Sequence, residues 1–411
     1  MRILLINKFL YRKGGDAIVT LETGDLLRKK GHDVSFWGMS HPENPESGYG
    51  EYFVPFVDLN HEYPLAKKIR ISLNMLYSLE AKSRLENVIR RAKPDLVHLH
   101  NFAHQISPSI LHVLRDRNIP AVMTLHDFKM VCGSYSMLSG NRVCERCKGR
   151  NYFHCFLQRC VKGSLAKSLL STVEMYLHHK FLKIYHSIDA FISPSIFLKN
   201  KLREMGFPIP IDYLPNFVNL PDFKPAYEGA RNKIAYIGRL SAEKGLLTLL
   251  RAVKNLDADL RIIGDGPMRP VLEEQARARK IKNVRFLGYK SFSQMQEEVS
   301  KVAAVVIPSE CYENNPKSVI ESFAWGKPVI ASRIGGLPEL VIEGKTGFTF
   351  RPGDAEDLKG KIMKVLRDAK KRRLLGMEAR RLVESKFNPE SHYERLMRVY
   401  EGAIACHSHE T

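Results

Sequence analysis

No stretch of this 411-residue sequence stays apolar for the roughly 20 residues that a membrane-spanning helix needs. The opening Met1-Arg2-Ile3-Leu4-Leu5-Ile6-Asn7-Lys8 is too short for a signal-peptide core and reads as a first buried strand. A cytoplasmic protein is expected. There is no repeat of about 20–50 residues and no low-complexity tract. Acidic residues are in deficit: 44 Asp and Glu against 64 Lys and Arg leave a net charge of +20. Such a surface suits phosphates, nucleic acid or an anionic membrane. Without a zinc-finger repeat, an RNP-like aromatic motif or a basic arm, nucleic acid is not expected as a partner. The 44% hydrophobic and 26% charged content is that of a soluble globular chain, and its length allows two or three domains.

What is present is most informative at residues 308–321, Pro-Ser-Glu-Cys-Tyr-Glu-Asn-Asn-Pro-Lys-Ser-Val-Ile-Glu. The apolar run Ala303 to Ile307 predicts a strand, and Asn315 as N-cap with Pro316 as first helical residue predicts a helix. Gly326 ends it, and Pro328 to Ala331 begins the next strand. Glu313 then lies at the C-terminal edge of a parallel sheet, where α/β ligands bind. Glu321 lies about two turns into the helix. Two spaced carboxylates suit a polyhydroxyl ligand. An ordinary βα unit with a solvated acidic face fits these residues equally well.

A second strand, Lys233 to Ile237, runs into Gly238-Arg239-Leu240, then Ser241-Ala242-Glu243-Lys244-Gly245 and a helical pattern. Arg239 and Lys244 thus emerge near a helix N-terminus, where a phosphate gains from backbone N–H groups and the helix dipole. Leu260 to Pro267 repeats the strand-and-glycine-turn theme.

Together these residues resemble glycosyltransferase family 4, the retaining sugar-nucleotide transferases of GT-B fold. The motifs are Gly238-Arg239-Leu240 with Lys244-Gly245, Gly264-Asp265-Gly266-Pro267, and the Glu-x7-Glu pair Glu313 and Glu321. Ala324 to Ala331 and Gly335-Gly336-Leu337-Pro338-Glu339 complete them. The resemblance is strong over most of residues 233–390 and looser before. It implies two Rossmann-like doubly wound α/β domains facing across a cleft. These would be residues 1–218 on the acceptor side and 219–388 on the nucleotide-sugar side. A C-terminal helix, 389–411, would cross back to the first domain. It further implies that Arg239 and Lys244 clamp a diphosphate, with Glu313 on the sugar and Glu321 on the ribose. Gly238, Asn314, Asn315, Pro316, Lys317 and Ser318 would line the donor. In the first domain it implies donor contact at Gly14-Gly15, His126 facing the donor sugar, and His100 on the acceptor side. The family usually has a glycine-rich turn after the first Glu; here Asn314-Asn315-Pro316 stands instead. No metal or other cofactor is expected for catalysis. A GT-B epimerase or phosphorylase is an alternative; a basic zinc-bearing nucleic-acid-binding protein is a more distant one.

Five of the seven cysteines, Cys132, Cys144, Cys147, Cys155 and Cys160, crowd an insertion at 132–160. The C-x2-C of Cys144 and Cys147 with Cys155 and Cys160 has spacings near those of structural zinc, with Cys132 able to replace any one of them. A cytosolic setting favours metal over disulfides, and reduced thiols are the plain alternative. Leu65 to Leu73 and Leu165 to Ile184 mix Lys and Arg with apolar residues. Each reads as a surface helix at an anionic bilayer or as a core helix with a basic outer face. Both lie on the acceptor side, which suits a glycan or lipid-linked acceptor in cell-surface polysaccharide biosynthesis, at the inner face of the cell membrane.

Overall fold

The computed structural model describes residues 1–409; residues 410 and 411, the end of the expected tail, lie outside the described residues. The first domain contains β1 (Arg2–Ile6), α1 (Gly15–Lys29), β2 (Asp33–Trp37), α2 (Leu65–Leu76), α3 (Leu79–Ala92), β3 (Leu96–Leu99), α4 (Ile110–Asp116) and β4 (Ala121–Thr124). An insertion follows, with a hairpin of β5 (Leu138–Ser139) and β6 (Arg142–Val143), then α5 (Phe153–Leu157) and α6 (Leu165–Tyr176). β7 (Ala190–Ser193), α7 (Ile196–Glu204) and β8 (Ile211–Tyr213) close the domain. Its six-stranded sheet is parallel, in the order β2-β1-β3-β4-β7-β8.

The second domain runs β9 (Lys233–Ile237), α8 (Leu246–Val253), β10 (Asp259–Ile263), α9 (Arg269–Ala278), β11 (Val284–Gly288), α10 (Phe292–Ser300) and β12 (Ala304–Ile307). It continues with α11 (Lys317–Ala324), β13 (Val329–Ser332), α12 (Leu337–Leu340), β14 (Gly347–Phe350), α13 (Ala355–Arg367) and α14 (Ala369–Lys386). Its parallel sheet is ordered β11-β10-β9-β12-β13-β14. Every residue of β3, β4, β12, β13 and β14 is buried. Helices cover both faces of such a sheet, so these strands are continuous apolar runs rather than alternating ones.

Between the sheets, residues 214–232 carry only a short turn at Leu220–Asp222. The last helix, α15 (Pro389–His409), crosses back to the first domain. Tyr400, fully buried, places its hydroxyl 2.7 Å from His98 Nδ1, and Tyr393 places its own 2.9 Å from His32 Nε2.

One helix start differs from expectation. α11 begins at Lys317, and Pro316 stands at the N-cap with extended backbone (φ −68°, ψ 120°). Proline's fixed φ suits extended backbone as well as a first helical turn. Asn315 caps nothing. Its Oδ1 accepts from the Asn216 amide at 3.2 Å, and its carbonyl accepts from Asn216 Nδ2 at 3.0 Å. Competition from the linker removes the expected cap.

Candidate active site

In each sheet one crevice opens where consecutive connections leave in opposite directions: between β1 and β3, and between β9 and β12. Ligands of open parallel sheets bind at such switch points, at the strand C-termini. Gly14-Gly15 follows β1 and His100 follows β3. Gly238-Arg239 follows β9, and Glu313 follows β12.

In the second domain, Arg239 is exposed, and its carbonyl accepts from the Tyr236 hydroxyl at 2.8 Å. Gly245 has φ +67°, and a Cβ there would stand 1.8 Å from the Pro308 carbonyl oxygen. Only glycine therefore lets the loop after β9 lie against the loop after β12. That approach sets Lys244 Nζ 2.6 Å from Glu313 Oε1, which also accepts from Ser309 Oγ at 2.5 Å. Burial disfavours the charged form of both partners. Even so, the Glu313 charge holds the Lys244 ammonium above its ordinary range. Lys244 and Ser309 likewise hold the Glu313 carboxyl below its own. The site thus keeps a half-buried ammonium, held by a carboxylate, beside exposed Arg239.

Glu321 sits on α11. Burial raises its carboxyl, with the Lys317 charge opposing and Glu22 adding to the rise. The Lys317 side chain turns to the other domain: its ammonium donates to Glu22 of α1 and to the Phe217 carbonyl at 3.0 Å. Asn314 likewise bridges the domains. Its Oδ1 accepts from Ser195 Oγ at 2.5 Å, and its Nδ2 donates to the carbonyls of Leu125 (3.3 Å) and His126 (3.4 Å). The side chains of Asn314, Asn315 and Lys317 thus all have partners of their own. All three are engaged in holding the domains and linker together, which leaves backbone groups to meet a ligand. Pro316 offers no amide, and Ser318 is half-buried, its carbonyl accepting from Ser322 Oγ.

In the first domain, His100 Nδ1 and His126 Nε2 lie 2.8 Å apart, so one ring donates to the other. Burial lowers the pKa of both; for His100 the neighbouring His98 and His126 add to the fall. His98 lies on the same face beneath them, its ring centroid 4.4 Å from that of His100, between Tyr400 and Thr124 Oγ1 at 2.8 Å. His100 and His126 line a cleft with Lys8, Asp127, Lys129 and Tyr135. Under its floor the Lys129 ammonium donates to Glu174 Oε2 at 2.7 Å and lies 3.0 Å from His104 Nε2. Gly14 enters α1 in extended backbone with no side-chain cap, so the first-turn amides are free of a side-chain acceptor.

Sequence reasoning missed Ser309, Glu22 and Glu339. Ser309 lies four residues before Glu313 on the same loop, a signal within reach. Glu339 closes the Gly-Gly-Leu-Pro-Glu motif, and its Oε2 accepts from the Ile196 amide at 2.9 Å at the start of α7. It thereby ties α12 to the first domain.

The insertion touches the donor loop. Tyr312, next to Glu313, donates to Glu145 Oε1 at 2.6 Å, and Lys201 pairs with the same oxygen at 2.8 Å. Burial raises the Cys132 and Cys147 thiols, the contact with Cys160 and then burial raise the Cys155 thiol, and Cys132, Cys147, Cys155 and Cys160 act on one another electrostatically. Cys144 acts on Cys147 but stands at the edge of the group. Among the described residues no three His, Cys, Asp or Glu side chains close on a point that would hold a metal ion.

The crevice pair, the Lys244–Glu313 contact and the Glu-x7-Glu spacing now stand together with two family models. Residues 13–221 match "Glycosyltransferase Family 4", and residues 221–382 match "Glycosyl transferases group 1". The chain belongs to glycosyltransferase family 4. An uncharacterized glycosyltransferase of Methanocaldococcus jannaschii is 26% identical over 403 residues, covering 98% of each chain. Among solved structures, sucrose-phosphate synthase from Thermosynechococcus elongatus superposes with a TM-score of 0.75 at 20% identity, covering 98% of this chain and 99% of that one. HepE of Anabaena, in complex with UDP and glucose, superposes at 0.68 and 16% identity, covering 98% and 99%. The fold of this family 4 enzyme is GT-B, and its activity is glycosyl transfer. No helix among the described residues is long and apolar enough to cross a membrane.

Proposed function

We propose that the enzyme transfers a sugar, with retention, from a nucleoside diphosphate-sugar held by the second domain to a glycan or lipid-linked acceptor entering along the first. The observation that carries this reading is the Lys244–Glu313 pair at the β9/β12 switch point, joined through Asn314 to the His126 strand end. Lys244 and Arg239 stabilise the charge that grows on the leaving diphosphate. Glu313 accepts from sugar hydroxyls and Glu321 from the ribose. The bond from the anomeric carbon to the diphosphate breaks as the acceptor oxygen bonds the same face. The acceptor's proton passes to the departing phosphate oxygen, so no protein nucleophile is needed. His126 and His100 stay neutral at physiological pH and order the acceptor side. Arg239 and Lys244 supply the cationic side of this clamp, and turnover should not require a divalent ion. The HepE structure with UDP supports a nucleotide donor by likeness of fold.

A thermal-shift screen of UDP-, GDP- and ADP-sugars tests the reading. One donor should raise the melting temperature, because ligand bound to the native state stabilises it. No shift with any donor, alongside tight salt-dependent binding to nucleic acid, would favour the distant alternative. Product analysis with and without acceptor separates transfer from epimerisation or phosphorolysis.

We also propose that the cysteine insertion braces the donor loop through Glu145 and Tyr312. Its clustered thiols would be drawn together by a structural zinc ion.

A further inference from the structure

Two helices of the first domain are built against the usual pattern. α2 spans 12 residues without one buried side chain. Its apolar positions Leu65, Ile69 and Leu73, one helical turn apart, are between 53% and 74% exposed. A helix this short is marginal in water alone and is normally held by an apolar face packed on something. α6 is inverted. Its inward face is mostly polar, with Ser168, Ser171, Thr172 and Glu174 buried beside Met175, while Leu165, Leu169 and Val173 point outward at 44–48% exposure. The inward polar groups are satisfied: Ser171 Oγ donates to the Gly133 carbonyl at 2.6 Å, and Glu174 accepts from Lys129 at 2.7 Å. Phe153 and Leu157 of α5 and Phe181 beyond α6 continue the outward apolar set.

These elements adjoin. α6 packs against both α5 and α2. Lys162 Nζ donates to Asn60 Oδ1 at 2.7 Å, and His178 Nε2 lies 2.7 Å from the Leu76 carbonyl oxygen. The surroundings are basic. From Arg146 to Lys183 the chain has eight Lys and Arg against one acid, Glu174, which is buried. Lys162, Lys167, Lys180 and Lys183 are exposed. Apolar residues in the middle and an excess of cations around them, with the exposed Glu62 already paired to Lys68, match the interface of an anionic bilayer.

We propose that α2, α5 and α6 form a face that docks on anionic lipid. The opposite side of α6 carries Glu174, which holds the cleft-lining Lys129. The docked surface and the acceptor cleft are therefore separated by about one helix diameter, roughly 10–12 Å. A lipid-linked acceptor lying in the bilayer reaches the cleft along this face; that last step rests on the transfer reading above, and the docking itself does not.

The test is co-sedimentation of the full chain with phosphatidylcholine vesicles, with and without phosphatidylglycerol, at low and high salt. Wild type should bind only the anionic vesicles and leave them at high salt. The triple variant Leu65→Ser/Ile69→Ser/Leu73→Ser should bind about tenfold more weakly. Its melting temperature and its response to the donor sugar should stay unchanged, since none of the three is buried. Lys162→Gln/Lys167→Gln/Lys180→Gln should flatten the salt dependence. Three results would overturn the proposal: no vesicle binding by wild type, equal binding by the triple variant, or a concentration-dependent dimer that the triple variant abolishes. Donor-induced stabilisation, read on the same preparation without vesicles, reports on the transfer reading separately.

Discussion

The two sheets place their crevices in the same way and fill them with opposite chemistry. At the β9/β12 crevice the side chains are charged and mutually fixed: Lys244 against Glu313, with Arg239 free beside them. At the β1/β3 crevice the side chains are imidazoles that burial keeps neutral, His100 against His126. A leaving diphosphate needs cations that do not titrate. An incoming hydroxyl needs donors and acceptors that do not repel it. On the proposed reading, topology supplies the location twice, and the residues at the strand ends decide which reactant each half receives.

The sharpest way to break this comparison is to remove the charge. Lys244→Ala and Arg239→Ala should each slow turnover about a hundredfold or more in a steady-state assay. The two should differ in stability. Arg239 is exposed and its loss should leave folding intact. Lys244→Ala strands the buried Glu313 carboxylate, so its melting temperature should fall and recover in Lys244→Ala/Glu313→Gln. Normal turnover in either folded variant would remove that residue from the clamp.

Next in size is a division of labour within the charged half. Glu313→Gln should lower turnover by about tenfold or more with nucleotide affinity nearly kept, the pattern of an interaction made mainly in the transition state. Glu321→Gln should chiefly weaken nucleotide binding. Equal effects on both quantities would merge the two roles.

Acid probes the neutral half. A histidine whose folded pKa is depressed binds its proton more readily when unfolded, so stability is full above about 6.5 and falls as pH drops below it. His98, lowered to about 3, should cost roughly 2 kcal/mol between pH 6.5 and 5. His392, lowered to about 4, adds to this, and His100 and His126 act in the same sense. Glu313, with a depressed carboxyl, loses its contribution only below about 4.3. Melting temperature against pH should thus fall in two stages, and His98→Gln should blunt the first.

The smallest effect on turnover belongs to the insertion. Protein purified without chelator should carry about one zinc per chain if Cys144, Cys147, Cys155 and Cys160 bind it, with Cys132 able to replace any one of them. Removing the zinc should loosen the segment and lower activity only indirectly. Metal-free protein with full activity would end the zinc proposal.

The sequence disclosed those site residues whose chemistry is local. Gly238-Arg239, Lys244 and Glu313 each follow a strand within a few residues, so strand pattern and glycine turns suffice to place them. It did not disclose partners brought together by folding. Asn315 looks like an N-cap until Asn216, from the linker, is seen to take its side chain. The Lys317 ammonium pairs with Glu22 of the other domain, a partner nothing near it in the chain announces. α6 was harder still. Its leucines fit an outward bilayer face or an inward core face, and the buried Lys129–Glu174 pair selects the outward one. Pairwise competition across long separations, rather than weak propensity, hid these features.

The division of the cleft is tested most directly by calorimetric titration with the nucleoside diphosphate of whichever donor the thermal screen identifies. Wild type, Glu321→Gln and His126→Ala should be titrated side by side without acceptor. The account predicts affinity about tenfold weaker in Glu321→Gln and unchanged in His126→Ala, because the second domain alone holds the nucleotide. Wild-type affinity in Glu321→Gln, or a loss in His126→Ala as large as that in Glu321→Gln, would contradict it.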